Sequence, residues 1–366
     1  MTRYDLVVVG AGIHGAAIAR EAAARGHRVL VVEQFAQAAL GTSSKSSKLI
    51  HGGLRYLESG QFRLVRECLH ERRRLLREQP DLVRLVPFHI PVYAQTRRGA
   101  WLIATGLGIY TLLGGKRFRR LPRHEWSRLD GLKTAGLKAV FRYWDAQTDD
   151  RLLTQRVVTQ AQLEGVDVRY NTTFDNARCE QQQCLVTCSN AGTSTTFEAK
   201  LLVNAAGPWA NLALSKITPA ATPLDVELVQ GTHIVVPGTP ARGVYYLEAP
   251  SDGRAVFVMP WKGHTLIGTT ETPYRGDPAA AAPQETEIGY LLDTWNHYFE
   301  PALQRPAVLD SFAGLRVLPS GGNPFERSRD TRLHREPALP GVLTVYGGKL
   351  TSHRHTAERV IAMLGL

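Results

Sequence analysis

The residues best suited to chemistry begin with three glycines. In Gly10-Ala11-Gly12-Ile13-His14-Gly15, Gly10 permits a tight turn and Gly12 lets backbone N–H groups approach a pyrophosphate at the start of the following helix. Gly15 lets that helix pack closely on the strand before it. Glu33 stands 18 residues after Gly15. A carboxylate at that spacing accepts hydrogen bonds from ribose hydroxyls and repels a 2′-phosphate, which points to an unphosphorylated adenosine ribose. The stretch from Gly41 to Leu57, with Thr42, Ser43, Ser44, Ser47, Lys48 and the run His51-Gly52-Gly53-Leu54-Arg55-Tyr56, is too polar and glycine-rich for a core and must face a ligand.

The elements that position these residues follow from periodicity. An apolar strand from Asp5 to Val9, a helix from Ala16 to Arg25 and a second strand from Val29 to Glu33 make a βαβ unit around the glycine turn. Glu67 to Glu78 is a charged helix, and Pro80, Pro87 and Pro91 mark a crossing into a second domain. A helix begins at Asp149 or Asp150, where a carboxylate caps free N–H groups, and runs to Glu164, ahead of a strand from Val166 to Tyr170. Short alternating stretches around 184–188 and 195–199 read as a β-meander. The apolar run Leu201 to Gly207 returns as a parallel strand meeting a cofactor through its backbone. Antiparallel strands are expected at 232–236, 244–248, 255–260 and 265–268, and a helix near Glu285. The chain ends in a strand from Val342 to Tyr346, a Gly347-Gly348-Lys349 turn and a helix from Thr351 to Leu364. The expected fold is α/β: a nucleotide-binding domain assembled from 1–86, 146–222 and 311–366, and a sheet-and-helix substrate domain from 87–145 and 223–310.

Length and composition fit this plan. The chain has 366 residues, 43% of them hydrophobic, enough for about two domains with proper cores. Its 44 basic and 33 acidic residues give a net charge of +11. The excess clusters at Arg63, Arg66, Arg72, Arg73, Arg74 and Arg77 and again at Lys116, Arg117, Arg119, Arg120 and Arg123. Such clusters suit an anionic small molecule, an anionic membrane surface, nucleic acid, or simply a solvated helix face. The first apolar run is used by the first strand, so no signal peptide is expected. Ala100 to Gly115 is uncharged over 16 residues, short of the roughly 20 that span a bilayer. It is either a buried helix of the second domain or a helix lying in a membrane interface. Cys68, Cys179, Cys184 and Cys188 have no metal-site spacing, so they read as free thiols of a reduced cytoplasm, with no metal bound.

The motifs together resemble the FAD-dependent, quinone-linked glycerol-3-phosphate dehydrogenases of the D-amino-acid-oxidase-like superfamily. The resemblance runs nearly end to end and rests on Gly10 to Gly15, Thr42-Ser43-Ser44, Ser47-Lys48-Leu49-Ile50-His51-Gly52-Gly53-Leu54-Arg55-Tyr56-Leu57, Asn204 to Trp209, Gly231 to Pro237, Ile267-Gly268-Thr269-Thr270, Gly314-Leu315-Arg316, Ser328-Arg329-Asp330 and Gly347 to Thr351. It implies a Rossmann-like FAD domain of the glutathione-reductase type with a cap domain, FAD bound through Gly10, Gly12, Ile13, His14, Gly15, Glu33, Thr42, Ser43, Ser44, Ser47, Lys48, Leu49, Gly207, Gly348, Lys349, Leu350 and Thr351, and glycerol 3-phosphate as substrate. His233 would be the base for the substrate hydroxyl, since an imidazole with pKa near 6.5 accepts a proton at neutral pH. Arg316 and Arg329 look like the phosphate clamp, with Arg55, Tyr56 and Thr270 as further contacts. Lys349 would supply positive charge beside the reduced flavin.

The sequence also departs from the family pattern. Only 17 residues follow Lys349, so the resemblance implies a short form without the family's separate C-terminal helical domain, and it leaves the electron acceptor, membrane attachment and assembly open. His14 stands where the family commonly has Asn and Glu271 where it has Asp, and the arginine of Asp149-Asp150-Arg151 falls one position early, so its role is not carried over. The expected partners are a phosphorylated polyol and a quinone or similar acceptor. The expected place is the cytoplasm, or the periphery of an anionic membrane. An amino- or hydroxy-acid oxidase of the same superfamily is the nearest alternative, although three arginines over-neutralise a lone carboxylate. A nucleic-acid-binding flavoprotein would interleave its basic clusters with stacking aromatics, which these clusters mostly lack, so no nucleic acid is expected.

Overall fold

The structure, a computed structural model, describes residues 1–180, 183–321 and 330–366. Its elements run β1 (Arg3–Val9), α1 (Ile13–Ala23), β2 (Val29–Val32), β3 (Leu49–Ile50), α2 (Phe62–Glu78), β4 (Val83–Tyr93), α3 (Ala100–Leu112), β5 (Arg119–Arg120) and β6 (Leu137–Thr148). They continue as α4 (Asp150–Leu163), β7 (Asp167–Arg169), β8 (Thr173–Glu180), β9 (Gln183–Asn190), β10 (Thr193–Asn204), α5 (Ala210–Leu214), β11 (Ile217–Thr218) and β12 (Val226–Val236). The last third holds β13 (Val244–Glu248), β14 (Ala255–Trp261), β15 (His264–Gly268), β16 (Thr272–Tyr274), α6 (Glu285–Tyr298), β17 (Asp310–Pro319), β18 (Arg332–His334), β19 (Val342–Tyr346) and α7 (His353–Leu364).

The chain divides into two compact units, one of 1–46, 149–229 and 315–366, the other of 47–148 and 230–314. In the first, β1 pairs in parallel with β2 on one side and β10 on the other, and β10 pairs in parallel with β19. Leu6, Val7, Val8, Leu30, Leu202 and Leu343 are almost completely buried, as strands covered on both faces must be. One face packs against α1, α4 and α7 through residues such as Ile18, Val157 and Val360. The meander β8–β9–β10 and α5 supply the core on the other. Asp149 caps α4, accepting from the N–H groups of Arg151 (3.1 Å) and Leu152 (3.2 Å).

The second unit is built on a sheet in the order β16-β12-β15-β14-β13-β4-β6-β3, with β17 added beside β12 and β5 beside β6. Its two faces carry separate cores. One is roofed by α6 through Ile288, Leu291 and Trp295, and the other by α2 and α3 through Val65, Leu69, Leu107 and Tyr110.

Three sequence expectations are corrected. The chain enters the second unit at Ser47 rather than at residue 87, because β3 pairs with β6 (Leu49 opposite Gln147, Ile50 opposite Ala146) and carries α2 with it. Cys179 and Cys184 are bonded to each other, not free, because they face each other across the β8–β9 hairpin with Cα atoms 4.0 Å apart; Cys68 and Cys188 are buried and take part in no disulfide. Helix α3 is not a buried helix: Ile103, Leu107 and Tyr110 face the core while Trp101 is 88%, Leu102 55% and Leu112 87% exposed.

Candidate active site

In the first unit the glycine turn has the geometry its spacing implies. Gly10 has φ +102°, and a Cβ there would lie 2.8 Å from the Ala205 carbonyl oxygen; a Cβ on Gly15 would collide with the Gly10 carbonyl. Only glycine permits both approaches. Helix α1 starts directly after Gly12, which offers no side chain to cap it, so the helix N-terminus keeps the N–H groups and positive dipole end that a pyrophosphate needs. Glu33 directly follows β2 and accepts from Ala11 N–H (2.7 Å) and Phe35 N–H (3.0 Å). Burial pushes its carboxyl up, and these backbone donors oppose the shift.

The hydroxyl run folds against that turn. Ser43 Oγ accepts from Ile13 N–H at 3.0 Å, and a Cβ on Gly12 would lie 3.2 Å from it. Thr42 donates to the Leu315 carbonyl (2.9 Å) and Ser44 to the Gly41 carbonyl (3.3 Å). Gly207 has φ +56° in the turn that Asn204 braces by donating to the Ala210 carbonyl (2.8 Å). The second glycine turn meets the first: Gly348 has φ +99°, and a Cβ there would collide with His14 Nε2. Lys349 and Leu350 follow half-buried, and Thr351 is buried. His353 Nδ1 lies 2.8 Å from the Leu350 carbonyl. Burial, with His353 nearby, lowers the His14 pKa to about 3. These groups, with amides at a helix start, an engaged acid directly after β2 and two glycine turns in contact, suit a flavin dinucleotide.

In the second unit His233 is 1% exposed on β12. Its Nε2 is 3.0 Å from Ser47 Oγ, and its ring stacks on Phe312 at 4.9 Å and 14°. Gly268, opposite His233 on β15, has no room for a side chain, since a Cβ would collide with His233 Cδ2. Lys48, 4% exposed with φ +58°, lies over the Phe312 ring at 4.8 Å and the Trp261 ring at 5.4 Å, so two ring faces stabilise its buried charge. Leu49 begins β3 beside it.

Arg55 and Tyr56 sit on a 3₁₀ turn from Leu54 to Leu57. Gly53 enters this turn with φ +75°, and a Cβ there would collide with the Tyr56 ring. The loop is tied from behind. Gly52 N–H donates to Tyr110 Oη (2.8 Å), and Tyr110 donates to Asp145 Oδ2 (2.6 Å). Arg72 pairs with the same carboxylate, both side chains being buried. Burial pushes the Asp145 carboxyl up against the pull of Arg72.

The residues named from sequence thus separate into two groups. Ser47, Lys48, Leu49, Arg55, Tyr56, His233 and Thr270 fall in the second unit, while Arg316, Lys349 and the glycine turns fall in the first. Arg329 lies outside the described residues. Thr270 is 3% exposed, and its hydroxyl is engaged within the protein, donating to Glu287 Oε1 (2.7 Å) and accepting from Thr232 N–H (2.9 Å). Sequence reasoning missed Phe312, Trp261 and Glu287, whose partners lie far away along the chain.

The family described as FAD dependent oxidoreductase matches residues 5–361. The chain belongs to that family. It is 38% identical over 375 residues to D-erythritol 1-phosphate dehydrogenase of Brucella abortus (strain 2308), covering 97% of this chain and 72% of the relative. To the aerobic glycerol-3-phosphate dehydrogenase of Escherichia coli (strain K12) it is 37% identical over 373 residues, covering 100% and 74%. Among solved structures it is similar to the glycerol-3-phosphate dehydrogenase from Bacillus halodurans complexed with FAD, with a TM-score of 0.78 and 28% identity over 99% of this chain and 64% of that one. FAD is therefore the cofactor, and the enzyme is a flavin-dependent oxidoreductase. Among the described residues no helix is long and apolar enough to cross a membrane.

Proposed function

We propose that this enzyme oxidises sn-glycerol 3-phosphate at its C2 hydroxyl to dihydroxyacetone phosphate. Bound FAD, which the Gly10–Gly15 turn, Glu33 and Ser43 would hold, would supply the two-electron acceptor for the C2 hydride. The observation that carries the reading is His233: a buried imidazole whose Nε2 meets a serine hydroxyl at 3.0 Å, on the unit that also holds the Arg55 loop. Ser47 donates to Nε2 before substrate arrives and leaves that lone pair for the substrate hydroxyl, whose proton His233 takes as the C2–H bond breaks. Phe312 keeps the ring plane fixed. Arg55, with Tyr56 beside it, binds the phosphate dianion. Lys349 stabilises the negative charge that reduction adds.

The electrons pass to a quinone, and the enzyme meets it at a membrane surface through α3. The exposed Trp101, Leu102 and Leu112, flanked in sequence by Arg97 and Arg98 and by Lys116 and Arg117, are suited to an anionic interface.

Anaerobic addition of glycerol 3-phosphate to the purified flavoprotein tests the reading. Bleaching of the flavin band by this compound, with glycerol and glycine inert, is the expected result. Faster bleaching by D-erythritol 1-phosphate, the substrate in a relative's name, would move the assignment to the four-carbon polyol. Bleaching by an amino acid alone would overturn it. A soluble quinone should restore the band faster than oxygen does.

A further inference from the structure

We propose that Glu287 is a positioning residue for His233, acting through Thr232 and Thr270 from the third residue of α6. The proposal rests on His233 being the base. The Glu287 carboxylate is 4% exposed, and five donors converge on it. Oε1 accepts from Thr270 Oγ1 (2.7 Å) and Thr272 Oγ1 (2.8 Å), and Oε2 accepts from Gln230 Nε2 (2.6 Å), Thr232 Oγ1 (2.7 Å) and Gln284 N–H (3.2 Å). Only the last belongs to the capping box that starts α6. The other four come from the strand that carries His233 and from the segment that follows its partner strand β15.

The geometry reaches the backbone beside the imidazole. Successive residues of a strand face opposite sides, so Thr232 turns to Glu287 while His233 turns to Ser47 and Phe312. The Thr270 hydroxyl donates to Glu287 and accepts from Thr232 N–H (2.9 Å), and Thr270 N–H donates to the Thr232 carbonyl (3.3 Å). Both backbone polar groups of Thr232, the residue before His233, are thereby held by Thr270, whose hydroxyl is fixed in turn by Glu287 of α6. The same clasp fixes the end of β15, where Gly268 lies against the imidazole with no room to spare. A shift there moves the ring off Ser47.

The donor count requires a carboxylate. An ionised carboxyl is acceptor-only with about four lone-pair sites, whereas an amide would turn two N–H groups toward hydroxyls that are already donating. Burial alone would raise the Glu287 pKa, but the hydroxyls of Thr232, Thr270 and Thr272 and the Gln230 amide bring it below the usual carboxylate value, so the group is charged at neutral pH.

The test compares Glu287→Gln, His233→Asn and the double variant as holoenzymes, reading the limiting rate of anaerobic flavin bleaching by glycerol 3-phosphate, the substrate Kd from its concentration dependence, and amide exchange of the 229–236 segment. In Glu287→Gln the limiting rate should fall about 10- to 100-fold, with Kd changed by less than about twofold and faster amide exchange. The double variant should be within about twofold of His233→Asn alone, because two residues that act through one group are not additive. A wild-type bleaching rate in Glu287→Gln, or losses that multiply in the double variant, overturns the proposal. If Glu287→Gln does not fold, Thr232→Val removes one donor from the clasp and should slow bleaching several-fold, about 3- to 10-fold, with Kd unchanged; an unaltered rate overturns the proposal. A wild-type rate in His233→Asn removes the base assignment itself, which is distinct from a slow His233→Asn beside a fast Glu287→Gln.

Discussion

At the scale of single residues the second unit is governed by exclusions as much as by contacts. Gly268 is glycine because the His233 ring occupies the volume of its missing side chain. Gly268→Ala should therefore displace the imidazole and slow flavin bleaching about 10- to 100-fold while FAD content, read from absorbance, stays at the wild-type ratio. Tyr110 makes the complementary point. Its hydroxyl both receives Gly52 N–H and donates to Asp145, so Tyr110→Phe leaves a buried N–H and a buried carboxylate each short of a partner. That should cost about 1–3 kcal/mol in thermal unfolding and weaken glycerol 3-phosphate binding through the loosened Arg55 loop. A rise in Kd with an unchanged limiting rate is the signature to look for. Gly10, Gly15, Glu33 and Ser43 were legible in sequence because their neighbours are close along the chain or follow from the geometry of a βαβ turn. Phe312, Trp261 and Glu287 were not, because nothing local distinguishes a core aromatic from one that stacks on His233 or a helix-capping glutamate from one that clasps a strand.

At the scale of elements, legibility tracked length and periodicity. β1, α1, β2 and β19 are continuous, largely apolar and largely buried runs, and sequence reasoning located them within a few residues. β3 is two residues long and owes its existence to β6, about a hundred residues later, so the entry into the second unit at Ser47 left no local trace. α3 misled for another reason: it is apolar on all sides, so no stripe distinguishes the face that packs from the face that does not. Its exposed residues yield a prediction at this scale. Each large apolar side chain that enters an interface contributes up to about 1.5–3 kcal/mol, so Trp101→Asp with Leu112→Asp should lower partitioning onto anionic vesicles at least about tenfold, measured by co-sedimentation. Bleaching by glycerol 3-phosphate in detergent-free buffer should be unchanged. Binding that survives both substitutions would assign the membrane contact to the basic residues alone.

At the scale of the whole molecule, each unit stores an imidazole that is neutral when folded, and this sets the acid limit of the fold. His89, 3% exposed on β4 against the Tyr245 ring, has its pKa lowered to about 4 by burial and by Arg142 nearby. His14 in the first unit is lowered to about 3. In the unfolded chain both titrate near the ordinary value of about 6.5. Above that pH neither state binds the proton and the contribution is complete. As pH falls below it the unfolded chain takes up protons that the folded chain refuses, so stability declines until the folded groups titrate, near 4 for His89 and 3 for His14. The slope reaches at most about 1.4 kcal/mol per pH unit for each group. Between pH 6.5 and 5 few carboxylates titrate, so the decline there belongs to histidines. His89→Gln should flatten the fall in unfolding temperature across that window, and His14→Asn should do so separately; where the two units melt in distinct steps, each substitution should act on the step of its own unit. A slope between pH 6.5 and 5 that is the same in wild type and both variants would show that neither buried imidazole governs acid stability.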